Sequence, residues 1–120
     1  MNYDVTGTCN HTGATVNLLS VSPHAHRTAI HMKFVLKKKS GMEIVMQDKA
    51  YDFNEQTSEP LIPGLAVEDG DTVTTTCTYN NDTDQTITFG ENTGNEMCFN
   101  FAITEPMNGL NCGFGPITFN

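Results

Sequence analysis

The sequence predicts an all-β protein, an antiparallel β-sandwich, and three observations support that prediction. Threonine, valine and isoleucine are frequent whereas leucine is scarce, which favours strands over helices. No long segment repeats apolar residues at the helical period. Several short segments instead alternate apolar and polar residues, as half-buried strands do. Such strands are typical of sandwiches, and 120 residues suffice for a single domain over 1–120.

Five segments are predicted as strands, and turn residues define the connections between them. The clearest is the alternating DTVTTTCTY, whose valine, cysteine and tyrosine fall on one face with the central threonine. Residues 40–41 supply a turn between the second and third strands, which predicts a hairpin. A long connection is predicted over 49–70, where two prolines occur, and a loop with one terminal strand over 108–120. The predicted strands are 15–21, 29–38, 41–47, 71–79 and 97–103.

Charge and hydropathy argue against two classes of partner. The chain carries 14 acidic against 6 basic residues, a formal net charge of -8. An acidic surface repels phosphate backbones, so nucleic acid is not an expected partner. No apolar run approaches the ~20 residues that cross a bilayer, so no membrane span is predicted. The first residues, MNYDVTGTCNHTG, lack the basic and apolar regions of a signal peptide.

Four cysteines in a chain of this length predict disulfides. None belongs to a CxxC motif, which argues against a zinc ribbon or a redox motif. Two bridges allow three pairings, and the spacing alone does not choose between them. Disulfides persist in oxidising compartments, so the protein is expected to be secreted, periplasmic or in the lumen of the secretory pathway. The cysteines are Cys9, Cys77, Cys98 and Cys112.

The strongest local signal for chemistry is Pro23-His24-Ala25-His26. Residues i and i+2 of a strand share a face, so the two imidazoles can bind one metal ion. The alternative interpretation is two surface histidines, or one that only hydrogen-bonds in the core. Two histidines rarely complete a site, and His31 follows His26 at an odd offset that places it on the opposite face.

A methionine is the remaining candidate for the third ligand. Met32 lies in an alternating apolar strand, where methionine usually fills the core. Met97 directly precedes Cys98, where a disulfide would anchor the backbone. Two imidazoles and a soft thioether suit copper, Cu(I) above all, and fewer than four protein ligands leave room for O₂ or substrate. GxSxG, HExxH and Walker A motifs are absent, and no histidine follows Cys98, which argues against a blue-copper site.

Four motifs, the first of which contains the histidine pair, occur in a fixed order across residues 18–101. They are SPHAH at 22–26, YDFN at 51–54, CTYN at 77–80 and FGENTGNEMC at 89–98. Together they resemble the C-terminal domain of the copper type II ascorbate-dependent monooxygenases, the family of dopamine β-monooxygenase and peptidylglycine α-hydroxylating monooxygenase. The match rests on their order and spacing, since no single motif is decisive.

The resemblance implies a jelly-roll sandwich that binds copper, as Cu(I) and Cu(II). In the family this copper activates O₂ as co-substrate, and a C–H bond of a small-molecule substrate is hydroxylated. Electrons come from ascorbate through a second copper held by an N-terminal domain, in the same or another chain, so this domain is expected to be inactive alone. The implied copper ligands are His24, His26 and Met97. The implied bridges are Cys77–Cys98 and Cys9–Cys112.

The substrate-facing positions differ from those of the peptide-amidating members. Two positions before the first histidine those members carry a basic residue, where this chain has Ser22. Four positions after the methionine they carry a tyrosine, where this chain has Phe101. These departures argue against peptide amidation. Phe99 and Phe101 alternate with Met97 and would share its face, where an apolar or aromatic substrate could pack, although core packing also explains at least one of them.

Two other functions stay open on sequence alone. A stand-alone copper carrier or sensor would keep the site without the catalysis. A metal-free sandwich would serve as an interaction domain, and its metal content would not respond to His24→Ala.

Overall fold

The computed structural model describes residues 2–88, 96, 98–106, 112–114 and 118–119, with 99, 112–114 and 118–119 described by their backbone alone. The described residues form nine strands. No described residue is helical, and among them no helix is long and apolar enough to cross a membrane. The strands are β1 Asn2–His11, β2 Val16–Ala25, β3 Ala29–Lys37, β4 Glu43–Ala50, β5 Glu59–Val67, β6 Thr72–Asn80, β7 Cys98–Glu105, β8 Cys112–Phe114 and β9 Thr118–Phe119.

Two antiparallel sheets face each other. The larger has the strand order β4-β3-β6-β1-β8, with β9 also paired to β1, and the smaller has the order β5-β2-β7. Side chains that alternate along the strands fill the space between the sheets, so that Leu18 of β2 and Leu36 of β3 are fully buried. Burying a leucine side chain contributes about 1.5–3 kcal/mol. The predicted all-β antiparallel sandwich is confirmed.

The core has two clusters, one toward each end of the strands. The predicted inward face of β6 is confirmed, because Val73, Cys77 and Tyr79 are all buried. Met32 is 1% exposed, so it fills the core as predicted. The first cluster contains Val16, Leu18, Val21, Phe34, Leu36, Val67 and Val73. The second contains Val5, Ala25, Ala29, Met32, Cys77 and Tyr79, with Tyr51 and Cys98 packed against it.

The long connection predicted over 49–70 is wrong in its second half, where the chain forms β5. Pro60 and Pro63 are tolerated because β5 pairs only with β2 and is an edge strand of the small sheet, where a missing N–H breaks no ladder. Strand β1 was not predicted, since its sequence is polar and contains a glycine. It pairs along nearly its whole length with β6. The C-terminal segment has two short strands, β8 and β9, where one was predicted.

Strand β2 runs four residues beyond its predicted end and so carries His24 within the sheet. The predicted bridge Cys77–Cys98 is confirmed, with its Cα atoms 5.9 Å apart. Because Cys77 lies on β6 and Cys98 on β7, this bridge ties the two sheets together beside the histidine segment. The other predicted bridge, Cys9–Cys112, involves a side chain outside the described residues and stays a prediction.

Candidate metal centre

The two histidines of the SPHAH motif lie together at the end of β2. Their ring centroids are 5.4 Å apart and the ring planes are nearly perpendicular, at 87°. His24 is half-buried, whereas His26 is 4% exposed and begins the turn into β3. Ala25 between them points into the core and is fully buried. This separation is within reach of one ion that contacts a nitrogen of each ring at about 2.0–2.1 Å.

The ring of His24 is oriented by Gln56. The side-chain amide of Gln56 donates through Nε2 to the carbonyl of Phe53 at 3.0 Å, which fixes which end of the amide faces the histidine. Its Oε1 therefore faces His24 Nδ1 at 2.8 Å, and because a carbonyl oxygen only accepts, Nδ1 must donate. The neutral imidazole is then unprotonated at Nε2. This is the arrangement by which hydrogen-bond partners prepare histidine ligands for a metal.

The ring of His26 packs against an aromatic side chain from the loop after β4. Its centroid lies 6.0 Å from that of Phe53, with the two planes at 80°. The guanidinium carbon of Arg27 lies 5.8 Å from the same Phe53 ring, a cation–π contact. Phe53 thus links the loop to both the histidine segment and Gln56.

Two side chains hold the backbone of the histidine segment. The Tyr51 hydroxyl donates to the carbonyl of Ala25 at 2.7 Å and accepts its N–H at 3.1 Å. Burial raises the pKa of Tyr51 above its ordinary value, with the charge of Glu96 adding to the effect. The hydroxyl therefore stays protonated and able to donate. Glu96 accepts the N–H of His26 at 2.9 Å.

The third predicted ligand, Met97, lies outside the described residues. Both of its neighbours in the chain are described, and both meet the histidine segment. Glu96 binds the N–H of His26, and Cys98 pairs with Ala25 in the β2–β7 ladder. Among the described residues, no three His, Cys, Asp or Glu side chains group into a metal site.

The remaining histidines do not join this pair. His31 extends from β3 and bonds Asp48 Oδ1 through Nε2 at 2.5 Å. His11 is 1% exposed and donates from Nε2 to the carbonyl of Ala14 at 2.8 Å. It lies at the other end of the sandwich, where β6 begins. His31 was predicted to point away from the pair, and it contacts Asp48 instead.

Of the two predicted substrate residues, Phe101 has a described side chain, and it lies on the outer face of the small sheet. Phe101 is 60% exposed, and its ring centroid lies 6.1 Å from that of His24. The ladder pairs His24 with Phe99 and Ser22 with Phe101, which places the backbone of β7 beside the histidine strand. The side chain of Phe99 lies outside the described residues.

Sequence reasoning identified the histidine pair but missed the side chains that hold it. Tyr51 and Phe53 lie within the YDFN motif, and Glu96 directly precedes Met97. The sequence therefore drew attention to these positions but did not indicate which contacts their side chains make. Gln56 carried no signal at all. Each acts across a large sequence separation, which local patterns do not reveal.

A comparison with known families agrees with this geometry. The family model described as copper type II ascorbate-dependent monooxygenase, C-terminal domain, matches residues 1–108 of the chain. The matched range includes both histidines, every side chain that holds them and the methionine between Glu96 and Cys98.

Proposed function

The chain belongs to the C-terminal domain family of the copper type II ascorbate-dependent monooxygenases, and from that premise we propose that it is the oxygen-activating copper domain of a monooxygenase that hydroxylates a substrate C–H bond. His24, His26 and Met97 are the proposed ligands. The observation that carries the proposal is the state of His24. Its Nδ1 donates to Gln56, so its Nε2 lone pair is available to a metal, and among the described residues no hydrogen bond occupies that atom.

The side chains around the pair support a metal by fixing its ligands in advance. Gln56 sets the tautomer and rotation of His24, Phe53 limits the rotation of His26, and Tyr51 holds Ala25 between them. Contacts of this kind, made to the ligand side chains and not to the metal itself, tune both the position and the basicity of ligands. When bound, copper would supply one-electron chemistry toward O₂, with ascorbate as the source of electrons. The chain's own residues would orient that metal through the two imidazole rings that they hold.

The surface beside His24 supports an apolar or aromatic small molecule as the substrate. Phe101 and Ile103 are 60% and 59% exposed along β7, and Leu19 on β2 is 38% exposed. Ser22, which stands where peptide-amidating relatives have a basic residue, shares a hydrogen bond with Ser58 at 2.6 Å. A neutral hydroxyl pair does not balance a carboxylate, whereas exposed rings favour aromatic contacts. Phe101, with Phe99 as its proposed neighbour, would therefore contact substrate.

Two further features of the proposal concern partners and compartment. Electron delivery would come from a second copper site in an N-terminal domain, in the same or another chain, because the two remaining histidines of this chain lie away from the pair. The Cys77–Cys98 bridge supports a secreted, periplasmic or luminal protein, since such bridges persist in oxidising compartments.

The proposal is tested by Cu(I) titration of the purified chain against a competing chelator. We expect one tight site in the wild type, an affinity at least 100-fold lower in His24→Ala, and a measurable loss in Met97→Ile. His31→Ala is the matched control, because it removes an imidazole on the outer surface of β3 and should leave the affinity unchanged. Equal copper binding by wild type and His24→Ala would overturn the ligand assignment. If the wild type binds tightly but stays inactive with a partner domain, ascorbate and substrate, the protein is a copper carrier.

A further inference from the structure

Glu96 is a buried carboxylate that accepts hydrogen bonds from the turn that follows the histidine pair. It is 5% exposed. One oxygen, Oε1, accepts the N–H of His26 at 2.9 Å. The other, Oε2, accepts the N–H of Thr28 at 2.8 Å and also the Thr28 hydroxyl. A buried carboxylate is costly unless donors surround it, and the turn after the histidine pair supplies three donors to this one.

The same residue is tied to a second part of the chain through its backbone. The N–H of Glu96 donates to the carbonyl of Thr88 at 2.9 Å. Two residues later, Cys98 pairs with Ala25 and is bridged to Cys77. The segment that carries the proposed methionine ligand is therefore fixed on both sides of Met97, on one side to the histidine turn and on the other to the core.

These contacts place Glu96 between the two kinds of proposed ligand. Its carboxylate holds the backbone of His26, and its own backbone continues directly into Met97. A purely structural clamp would also close this turn, but it would not need to stand next to a ligand in sequence.

We propose that Glu96 is a positioning residue that sets the distance between the histidine pair and the sulfur of Met97. The inference rests on the proposed function, because it requires that copper binds these three ligands. Loss of the carboxylate should lengthen or break the copper–sulfur contact and leave the two copper–nitrogen contacts in place. Both rings keep contacts that do not involve Glu96, since Gln56 bonds the ring of His24 and Phe53 packs against the ring of His26.

The test is X-ray absorption spectroscopy of the Cu(I)-loaded chain, together with Cu(I) affinity. Glu96→Gln keeps the size of the side chain but replaces one acceptor oxygen with a donor group that clashes with the donors of the turn. We expect its sulfur scattering to weaken or disappear, its two-imidazole scattering to persist, and its affinity to fall about tenfold. The matched control is Asp71→Asn, which alters a buried turn-clamping carboxylate at the other end of the sandwich and should keep the sulfur signal.

A second variant keeps the inference testable if Glu96→Gln does not fold. Thr28→Val removes only the hydroxyl bond to Glu96 and keeps both main-chain bonds, so we expect a smaller loss of sulfur scattering in a folded protein. Sulfur scattering and affinity equal to wild type in a folded Glu96→Gln chain, or in Thr28→Val when Glu96→Gln fails to fold, would overturn the positioning role. Wild-type protein that binds Cu(I) without sulfur scattering would instead refute the ligand set on which the inference rests.

Discussion

The two ends of the sandwich each bury a carboxylate that closes a turn, but the two carboxylates have different surroundings. Asp71 is 1% exposed and accepts bonds from Lys38 Nζ at 2.5 Å, from the N–H of Lys39 at 2.9 Å and from the N–H of Glu68 at 2.8 Å. The ammonium of Lys38 thus balances the negative charge of Asp71 by direct contact. Glu96, by contrast, binds the turn after the histidine pair through main-chain N–H groups and a hydroxyl.

The histidines at the two ends differ in the same way. His11, near Asp71, is 1% exposed and donates a hydrogen bond from Nε2 to the carbonyl of Ala14, so it is a structural residue. His24, at the other end, donates from Nδ1 to Gln56 and keeps Nε2 directed away from that bond. The described polar groups of the first end bond to one another, whereas at the second end Nε2 of His24 is the atom proposed to bind copper. Changes at the first end should alter stability alone, whereas changes at the second should alter copper binding as well.

The largest expected effect is on stability, from Asp71→Asn. The substitution removes the nearer carboxylate from the ammonium of Lys38, whose side chain is 17% exposed, and leaves only the exposed Glu68 at 3.9 Å. Breaking a buried pair of this kind costs about 3–5 kcal/mol. Denaturant unfolding should show that loss, while Cu(I) affinity of the folded protein stays at the wild-type value. The double variant Lys38→Met with Asp71→Asn should recover part of the stability. A parallel loss of copper affinity in Asp71→Asn would show that the two ends are coupled.

The pH dependence of stability is a second test of the ion pair between Lys38 and Asp71. Burial alone would raise the pKa of Asp71, but the hydrogen bonds from Lys38 and from the N–H groups of Glu68 and Lys39 hold it below its ordinary value. A carboxyl whose pKa is lower in the folded state stabilises the protein above its unfolded pKa of about 3.9. That contribution is lost as the pH falls through the folded value. The denaturant concentration at which the wild type is half unfolded should therefore decrease as the pH is lowered below about 4. The Asp71→Asn variant should lack the part of this decrease that comes from Asp71.

The next effect in size comes from the bridge beside the site. The cysteines are 21 residues apart, and in the chain-entropy model a loop of this length is worth about 3 kcal/mol. The variant Cys77→Ala with Cys98→Ala should lose about that much free energy of unfolding. It should also lose Cu(I) affinity, because Cys98 fixes the backbone next to Met97. Asp71→Asn is the stability-matched control: if both proteins bind Cu(I) equally well, the bridge stabilises the fold without positioning the ligand.

The fold was predictable where side-chain alternation marks a strand, and less so elsewhere. Strands β3 and β6 were predicted almost to the residue because their inward faces are apolar. Strand β1 has few apolar side chains and is held instead by its ladder with β6, which a local pattern does not contain. Strand β5 was missed because two prolines argue against a central strand, and the sequence does not show that this strand lies at an edge.

The candidate site shows the same limit. The histidine pair was visible because its two members are two residues apart in the sequence. Their supporting contacts join residues 26, 32 and 70 positions apart, through Tyr51, Gln56 and Glu96 respectively. No periodicity links such distant positions, since only the folded sheets bring them together. A sequence therefore reveals ligands more readily than the side chains that orient them.

The smallest expected effect comes from Tyr51→Phe, which tests whether a change near the histidine pair alters Cu(I) affinity as well as stability. The variant keeps the ring and removes the hydroxyl that bonds both the N–H and the carbonyl of Ala25. Two hydrogen bonds of this kind are together worth about 1–2 kcal/mol in net stability. Because Ala25 separates the two histidines, we expect a several-fold loss of Cu(I) affinity in addition. Tyr3→Phe, which removes the hydroxyl of a tyrosine that is 45% exposed, is the control and should change neither quantity. If Tyr51→Phe lowers stability but binds Cu(I) as wild type does, then Tyr51 holds the end of β2 as a structural element, and the orientation of the ligands depends on Gln56 and Glu96 alone.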